Sequence, residues 1–366
     1  MSQVVVVKIG TSSITDTHGV VDADAVAKLC REVAGLRAQA HRVVVVTSGA
    51  IAAGLPSVGL GGERRPTDAV TLQAVSAVGQ SRLMRVYDDH FADHHLIAGQ
   101  VLLAPLDFGI RQQYLHARGT LRRLLDLGVV PVVNENDAIA DDEIRFGDND
   151  RLAALVAHLV HADVLVLLTD APGLLTADPR LDEQASLIEE VLEVTAELEG
   201  LAGGSGTVRG SGGMASKVAA AKMAAWSGVR TVIAAAHRDG VLGDAVAGSP
   251  GVGTVVAPRG QRISARKLWI AFAVDTAGRV VVDDGARRAL LERNVSLLPA
   301  GVLSVDGAFS PDQAVEVAGH DGIVFAKGLV RIDAKTLAAV AGRRTTQLPE
   351  GVMHEVIHRD DLVIVP

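Results

Sequence analysis

The chain has little cysteine, few aromatic residues and no excess of positive charge. Its 366 residues include a single cysteine, Cys30, so neither an intrachain disulfide nor a zinc site built from several cysteines can form. Aromatic residues make up only 3% of the chain, and the formal net charge is -8. That charge excludes a nucleic-acid footprint spread over the whole surface. These absences favour a globular protein of a reducing compartment, and we expect a cytoplasmic location.

The sequence also lacks an uninterrupted apolar run of the length that spans a membrane. The longest run, residues 152–169, contains His158, His161 and Asp163 and is typical of a buried helix followed by a strand. Residues 1–10 do not show the apolar segment and cleavage site of a signal peptide. We therefore expect no membrane partner.

What the chain does contain is apolar residues (48%) arranged in short repeating patterns. Through about residue 253, β-branched runs such as Val4–Ile9 and Val164–Leu168 alternate with helical patterns such as Asp24–Gln39. This alternation predicts an α/β fold, with an open, mainly parallel sheet between helices on both faces. Ligands bind such sheets beyond the carboxyl ends of the strands, so the residues that follow each strand are the candidates for a site.

The last third of the chain has a different pattern, and the length alone already favours two domains. From Gly278 onwards, short apolar runs are separated by Gly, Asp and Pro, which predicts a small, mainly β domain with one helix. The segment before it carries four cations and no acid between Pro258 and Lys267. We expect a first domain at 1–257, a linker at 258–274, a second domain at 275–353 and a C-terminal tail at 354–366.

Two strand ends carry candidate ligand-binding residues. The first strand ends in Lys8, followed by Gly10 and Thr11, which offers a cation and backbone N–H groups to a phosphate. This is neither a Walker A sequence nor a dinucleotide-binding fingerprint, and a solvated lysine beside a turn is the plain alternative. After the second strand, Ser48 could cap the next helix or place its hydroxyl at the ligand edge of the sheet.

The segment 134–150 is unusually acidic, with seven carboxylates, three asparagines and one arginine. A charge run is usually a solvated loop, but this one starts directly after an apolar strand and ends where a helix begins. Asp and Asn side chains suit an ammonium group or Mg²⁺. We favour a functional role for Asp137, Asp148, Asn149 and Asp150, although Asp150 could instead be a helix N-cap.

A second glycine-rich segment, Gly210–Lys217, opens a helix. Its glycines would let the backbone approach a phosphate, and the helix N-terminus presents N–H groups and a partial positive charge. Lys217 is unfavourable in the first turn of a helix, and a bound polyphosphate would explain its position. With Lys8 and the acidic segment, these are the groups that phosphoryl transfer requires.

Six segments in this order resemble the amino-acid kinase family, and specifically its members that act on L-glutamate. The resemblance covers roughly residues 1–257, and residues 275–353 look like a PUA domain. The segments are VVVVKIGTSS (4–13), VVVVTSGAIAAG (43–54), NENDAI (134–139), FGDND (146–150), LLTDAPGLLTADPR (167–180) and GSGGMASK (210–217).

The resemblance implies ATP-dependent, Mg²⁺-assisted phosphorylation of the γ-carboxylate of L-glutamate, the first step toward proline. Lys8 and Lys217 match the lysines that stabilise the transferring phosphoryl group, and Asp150 matches the aspartate that orients them, with Asp148 nearby. The positions that match glutamate-binding residues are Ser48, Asn134, Asp137 and Asn149. The positions that match the nucleotide site are Lys8, Gly10, Thr11, Thr169, Asp170, Ser211, Gly212, Gly213, Met214, Ala215, Ser216 and Lys217.

The resemblance also implies a homo-oligomer (a dimer or a tetramer) and feedback inhibition by proline. The sequence departs from the family pattern at Ala171-Pro172 and Leu175, where a polar or acidic residue and an aromatic are more usual. These departures bear on the adenine end of the nucleotide site.

Two other interpretations compete with this one. The first is another kinase of the family, acting on acetylglutamate, aspartate, carbamate or UMP, and the acidic segments argue against it. The second is RNA binding through the PUA-like domain. Residues 276–366 carry 10 Lys and Arg against 12 Asp and Glu, or -2, which is a poor charge for holding a phosphate backbone. We expect no nucleic-acid partner.

Overall fold

The computed structural model describes most of the chain: residues 2–16, 18–60, 66–139, 149–180, 182, 184–203, 213–260, 262–272, 274–351 and 353–365. The chain divides into two compact units, Met1–Arg262 and Ile263–Pro366. A search of the described residues finds no helix with the length and apolar character needed to cross a membrane.

The first unit is built on a mainly parallel sheet. In the described residues it has eight strands in the order β3-β4-β2-β1-β5-β7-β8-β6, and β8 runs antiparallel to β7. The strands are β1 (Val4–Ile9), β2 (Arg42–Val46), β3 (Ala98–Leu103), β4 (Val130–Glu135), β5 (Val164–Thr169), β6 (Glu190–Val191), β7 (Arg230–Ala235) and β8 (Thr254–Val256).

Helices cover both faces of this sheet, so the predicted fold class is confirmed. Strand β1 is buried along its whole length, as its uninterrupted apolar run predicts. Its Val5, Val7 and Ile9 belong to the core formed with α1, α3 and α8. Helix α5 also contacts β1 and packs with α4 and α7, and none of these three helices contributes a described residue to that core, so they lie on the opposite face. The helices are α1 (Ala23–Ala38), α2 (Ala50–Gly54), α3 (Ala69–Ala92), α4 (Arg111–Asp126), α5 (Asn149–Val160), α6 (Ala196–Ala202), α7 (Met214–Trp226) and α8 (Val241–Ala247).

The sequence pattern after the second strand predicts a helix over Ile51–Val58, and the second half of this prediction is wrong. The α-helical part, α2, ends at Gly54, and Leu55–Val58 is a 3-10 turn with a proline in its first positions. Pro56 has no N–H to donate to a helical carbonyl, and this shortens the helix.

The second unit contains a five-stranded sheet in the order β10-β9-β11-β12-β13, where only β9 and β11 pair in parallel. Its core includes Val280, Val317, Phe325 and Leu362. The elements are α9 (Ala265–Phe272), β9 (Thr276–Val282), α10 (Asp284–Arg293), β10 (Val302–Gly307), β11 (Ala314–Gly319), β12 (Val324–Val330), α11 (Ala334–Val340) and β13 (Ile357–Ile364).

Helix α9 falls in the range expected as a linker, and strand β13 falls in the range expected as a tail. Strand β13 pairs with β12, and Leu362 on it lies in the core of the second unit. The central strand β11 has no counterpart in the sequence-based expectation. Its sequence, AVEVAG, contains small residues that are depleted in strands, which hides it from a pattern search.

Helices α2 and α3 pack backbone against backbone. A Cβ on Gly54 would lie 2.1 Å from the carbonyl oxygen of Val75, and one on Gly79 would lie 1.8 Å from that of Ala50. No side chain larger than hydrogen fits at either position without moving a helix. This contact fixes the start of α2, directly after β2, against the middle of α3.

We expect Gly79→Ala to destabilise the protein by about 2 kcal/mol or more, because the new methyl group overlaps backbone atoms that cannot rotate away. The matched control is Gly119→Ala in the middle of α4, where no atom lies within 4 Å of the added Cβ. There the same change should stabilise by about 0.5–1 kcal/mol through helix propensity. Urea unfolding of both variants measures the difference, and equal effects would contradict the close packing.

His158 is a buried histidine near the end of α5. Its Nδ1 lies 3.2 Å from Ser227 Oγ, and its carbonyl oxygen accepts a hydrogen bond from Arg262 Nη2 at 2.7 Å. Burial, followed by repulsion from Arg262, His161 and Arg118, lowers the pKa of His158 from 6.5 to about 3. The folded protein therefore holds this imidazole neutral, while the unfolded chain protonates it below pH 6.5.

The unfolded state thus binds more protons at mildly acidic pH, so His158 contributes stability above pH 6.5 that is lost progressively as the pH falls toward 3. Between pH 7.5 and pH 5.0 we expect this one group to remove about 2 kcal/mol from the free energy of unfolding. In His158→Gln the loss over the same interval should be smaller by about that amount. Urea unfolding at the two pH values tests this, and an unchanged pH dependence would contradict it.

Candidate active site

The carboxyl ends of the central parallel strands bring the sequence candidates to one edge of the sheet. Strands β4, β2, β1 and β5 are consecutive neighbours and run in parallel. Lys8 lies near the end of β1, Ser48 follows β2, and Asn134 lies near the end of β4. All three are buried, so a solvated Lys8 is ruled out.

The centre of the site is a carboxylate held between two lysines. Asp150, in the first turn of α5, is 1% exposed. Its Oδ1 lies 2.6 Å from Lys8 Nζ, and its Oδ2 lies 3.2 Å from Lys217 Nζ. Ser216 Oγ donates a second hydrogen bond to Oδ2 at 2.7 Å. The structure thus brings together three residues that the family resemblance placed in one catalytic group.

Asp150 is ionised at neutral pH despite its burial. Burial by itself raises the pKa of the carboxyl group, but the attraction of Lys8 and Lys217 and the hydrogen bonds from Lys8 and Ser216 outweigh it. The pKa of Asp150 therefore lies below its usual value. A permanently charged carboxylate can hold both ammonium groups in place, whereas a proton acceptor would need a higher pKa. Asp150 is the second residue of α5 and lies inside the helix rather than at its N-cap position, so the alternative of a simple N-cap is wrong.

The start of α7 is suited to an anion. Its N-cap residue is Gly213, which has no side chain to cap the first N–H groups, and its first turn contains no acidic residue. Ser216 Oγ lies 2.8 Å from the carbonyl oxygen of Gly213 and links the turn to Asp150. Met214 is half-buried and Ala215 is exposed. The predicted residues Ser211 and Gly212 lie outside the described residues.

Asn149 organises the polar side of the site. Its Nδ2 donates to the carbonyl oxygen of Thr47 (2.9 Å), to Ser48 Oγ (2.8 Å) and to Asn134 Oδ1 (3.1 Å). Ser48 does not cap α2, whose N-cap is Gly49 and has no side-chain cap. Gly49 has φ +98°, a left-handed conformation that lets the chain turn directly after Ser48. The structure therefore joins the predicted residues Ser48, Asn134 and Asn149 in one network.

Two residues of α3, which the sequence analysis missed, complete this network. Asn134 Nδ2 donates to Gln80 Oε1 at 2.8 Å, and Ser76 Oγ donates to Asp137 Oδ2 at 2.7 Å. Burial raises the pKa of Asp137, and the hydrogen bond from Ser76 partly opposes that shift. Asp137 is thus tied to the same helix face as Gln80.

A signal for these residues was present in the sequence. Ser76 and Gln80 are spaced by four residues and continue in helical phase into the buried Leu83, Tyr87 and Phe91. Polar side chains on an otherwise apolar helix face are uncommon, and their presence predicts buried polar partners. The partners lie more than 50 residues away in sequence, at the ends of other elements.

The remaining predicted residues lie at neighbouring strand ends. A Cβ on Gly10 would lie 3.3 Å from Lys8 Nζ, so a residue with a side chain would crowd the amine. Thr11 begins a 3-10 turn and is exposed. Thr169 Oγ1 donates to Asp170 Oδ1 at 3.0 Å at the end of β5, next to β1. The predicted Asp148 lies outside the described residues.

The side chains of the site determine whether the protein itself could coordinate a metal ion. Within the described ranges, no group of three or more His, Cys, Asp or Glu side chains is arranged to hold a metal ion. The Asp150 carboxylate is engaged by both lysines. Among the described residues, this carboxylate is therefore engaged in ion pairs rather than grouped with other acidic side chains.

Known proteins resemble the chain over its whole length. A 44% identity to a glutamate 5-kinase from Pelobacter propionicus covers 99% of this chain and 97% of the relative. Glutamate 5-kinases from Nocardia farcinica and Mycolicibacterium smegmatis are 47% and 46% identical, over 99% and 98% of this chain and 96% of each relative. The structure of a carbamate kinase from Giardia lamblia bound to AMP-PNP aligns with 70% of this chain and 99% of its own, with a TM-score of 0.50 and 18% identity, and supports the fold.

Family models agree with these alignments. Residues 278–352 match the PUA domain, in the second unit. Residues 3–235, which include the strand ends and helix starts that form the site, match the amino acid kinase family. The chain therefore belongs to the amino acid kinase family.

Proposed function

We propose that the protein transfers the γ-phosphoryl group of ATP to the γ-carboxylate of L-glutamate and so forms L-glutamate 5-phosphate. The observation that carries this proposal is the Asp150 carboxylate between Lys8 and Lys217, adjoining the amide and carboxylate network of Asn149, Asn134 and Asp137. The curated relatives, aligned over nearly all of the chain, are glutamate 5-kinases, which supports this substrate within the family.

The chemistry requires charge neutralisation and positioning rather than a base. One oxygen of the γ-carboxylate forms a bond to the γ-phosphorus of ATP while the bond from that phosphorus to the β–γ bridging oxygen breaks. ADP leaves with the bonding electron pair, and no proton moves, because the carboxylate is already ionised at neutral pH. Lys8 and Lys217 stabilise the negative charge spread over the transferring group. Asp150 holds the two ammonium groups at a fixed separation, with Asp148 proposed to act nearby.

The polar network is proposed to hold the amino acid. Ser48, Asn134 and Asn149 offer hydroxyl and amide groups, and Asp137 offers a carboxylate that can pair with the α-ammonium group. These neutral and negative groups lie next to the Lys8–Asp150–Lys217 cluster because Asn149 and Asp150 are consecutive at the start of α5. The substrate's γ-carboxylate would point toward the lysines.

The N-terminus of α7 is proposed to hold the nucleotide phosphates. The proposed nucleotide-binding residues are Lys8, Gly10, Thr11, Thr169, Asp170 and Ser211–Lys217. Mg²⁺ is proposed to enter with ATP, and when bound it would neutralise charge on the phosphates. Asp150 keeps the lysines in place whether or not a metal is present.

The wider biological assignments are proposals from the family resemblance. They comprise the first step of proline biosynthesis, feedback inhibition by proline, a dimeric or tetrameric assembly, a cytoplasmic location, and the division at 1–257, 258–274, 275–353 and 354–366. We propose a structural or regulatory role for the second unit rather than nucleic-acid binding. Several of its arginines pair with carboxylates: Arg279 with Glu316, Arg287 with Asp321, Arg331 with Glu355, and Arg266 with Asp361.

The substrate is tested by trapping acyl phosphate with hydroxylamine in the presence of ATP and Mg²⁺. The panel is L-glutamate, N-acetylglutamate, L-aspartate and carbamate, each with and without proline. We expect turnover with L-glutamate and with none of the other three substrates, and we expect proline to suppress that turnover. If the enzyme prefers another carboxylate, the proposed phosphoryl-transfer chemistry stands and the assignment of L-glutamate as the substrate is overturned. Absence of turnover with every substrate, in folded protein, would overturn the proposed activity and make salt-dependent RNA binding the next test.

The roles of the buried ion cluster are tested by substitution. Lys217→Ala should lower kcat by about 10²–10³, the scale for losing one preorganised charge-stabilising group. Asp150→Asn should lower kcat similarly and also destabilise the fold by about 3–5 kcal/mol, because it leaves two buried ammonium groups without their carboxylate. Steady-state kinetics and urea unfolding measure the two effects.

The matched control is Lys222→Ala on the same helix, where the lysine pairs with Glu199 on the surface side of α7. This variant should keep kcat within about 2-fold, since a partly exposed ion pair contributes little. Near-normal turnover in Lys217→Ala would rule out the role assigned to that lysine.

A further inference from the structure

The three amide side chains of the site have fixed orientations. Asn149 Nδ2 faces the carbonyl oxygen of Thr47, which can only accept, so this end of Asn149 must be the donor. Asn134 Oδ1 accepts from the backbone N–H of Glu135 at 2.9 Å, which fixes the orientation of Asn134 in the same way. Asn134 Nδ2 therefore donates to Gln80, and the atom of Gln80 that faces it must be Oε1. The amides form a chain that runs in one direction, from Asn149 through Asn134 to Gln80.

This direction leaves one hydrogen-bond donor and one acceptor unused at the two ends of the row of amides. Within the described part of the protein, neither Gln80 Nε2 nor Asn149 Oδ1 has a hydrogen-bond partner, and both atoms are buried. Gln80 as a whole is only 7% exposed. Buried amide groups without partners are rare and costly in folded proteins, so the two atoms point to a ligand that completes the network.

A carboxylate acceptor lies beside the unused donor. Ser76 precedes Gln80 by one helical turn, and residues with this spacing have Cβ atoms about 5–6 Å apart. Ser76 Oγ holds Asp137 Oδ2, so α3 positions the Asp137 carboxylate one turn from the Gln80 amide. The α-carbon of an amino acid carries an ammonium group and a carboxylate side by side. An acceptor and a donor on neighbouring turns of a helix match that pair of groups.

We propose that Gln80 is a specificity-determining residue whose Nε2 donates to the α-carboxylate of the amino-acid substrate, while Asp137 binds the α-ammonium group. This proposal rests on the proposed function and specifies which end of glutamate the network holds. Among the described residues, hydrogen bonds lead from Gln80 through Asn134 to Asn149, which precedes Asp150, so Gln80 stands at the far end of this row of amides from the lysines. The α-carboxylate, rather than the reacting γ-carboxylate, is the group placed there.

The sharpest variant is Gln80→Glu, which keeps an oxygen to accept from Asn134 and replaces only the unused donor. The new carboxylate repels the α-carboxylate of L-glutamate. It can accept a hydrogen bond from the α-carboxamide of L-isoglutamine, a substrate analogue that retains the γ-carboxylate. We expect kcat/KM for L-glutamate to fall by about 10²–10³, mainly through KM, because facing carboxylates repel. For L-isoglutamine we expect kcat/KM to be unchanged or higher, and the KM for ATP to stay within about 2-fold.

A neutral variant guards against misfolding caused by a buried charge. Gln80→Met is similar in shape and cannot donate, so the KM for L-glutamate should rise by about 10-fold. The control ligand is 4-aminobutyrate, which lacks the α-carboxylate and is tested as a competitor of L-glutamate. Its inhibition constant should change by less than about 2-fold. Gln112→Glu on the exposed side of α4 is the charge control and should match wild type with every substrate. Thermal unfolding shows which variants are folded.

The outcomes separate this inference from the proposed function. If wild type does not turn over L-glutamate, the proposed function itself fails. If wild type does so, and the folded Gln80 variants either match it or lose equally with L-glutamate and L-isoglutamine, the role of Gln80 is structural and the inference is overturned. A loss confined to ligands with an α-carboxylate supports it.

Discussion

The buried carboxylate of Asp150 is the interaction on which the site depends. Three buried charges would be very unfavourable in isolation, and they are tolerated because the Asp150 carboxylate lies within ion-pair distance of both Lys8 and Lys217. The cluster also joins three separate parts of the first unit, since Lys8 is on β1, Asp150 starts α5 and Lys217 lies in the first turns of α7. The fold therefore supplies the lysines at a set separation before any substrate arrives, which is the preorganisation that phosphoryl transfer exploits.

Next to this charged cluster, the fold places a neutral network whose polarity is set by the backbone. The carbonyl group of Thr47 and the N–H group of Glu135 orient Asn149 and Asn134, and the orientation passes from amide to amide to Gln80. Ionisation does not change the hydrogen-bonding pattern of an amide, so the network keeps its donors and acceptors over a wide pH range. In the proposed mechanism the two parts therefore have different roles: the lysines face the transferring group, and the amides with Asp137 face the amino acid.

The sequence predicted the architecture because it follows from local patterns, whereas the grouping of Asp150 with Lys8 and Lys217 came from the family resemblance. Apolar runs alternating with helices predict the parallel sheet, and the carboxyl ends of its strands are where Lys8, Ser48 and Asn134 were expected and are found. Ser76 and Gln80 were missed because their role depends on contacts with residues 61 and 54 positions away. Strand β11 was missed because its alanines and glycine give a weak strand signal, and tertiary pairing with β9 and β12 decides its conformation.

The glycine contact between α2 and α3 links the packing of the fold to the proposed substrate site. Gly79 immediately precedes Gln80, and its absent side chain lets α3 approach the carbonyl oxygen of Ala50, only two residues after Ser48. Because both sides of this contact are backbone, the distance between the Gln80 and Ser48 segments has little freedom to adjust. A side chain at residue 79 would push apart the two segments that hold opposite ends of the amide network.

The requirement for glycine at residue 79 is therefore a requirement on the geometry of the site as well as on packing, and the two effects cannot be separated by a change at Gly79 alone. Substitutions that remove only the free end of Gln80 can separate them, because they leave the helix contact and the bond to Asn134 in place.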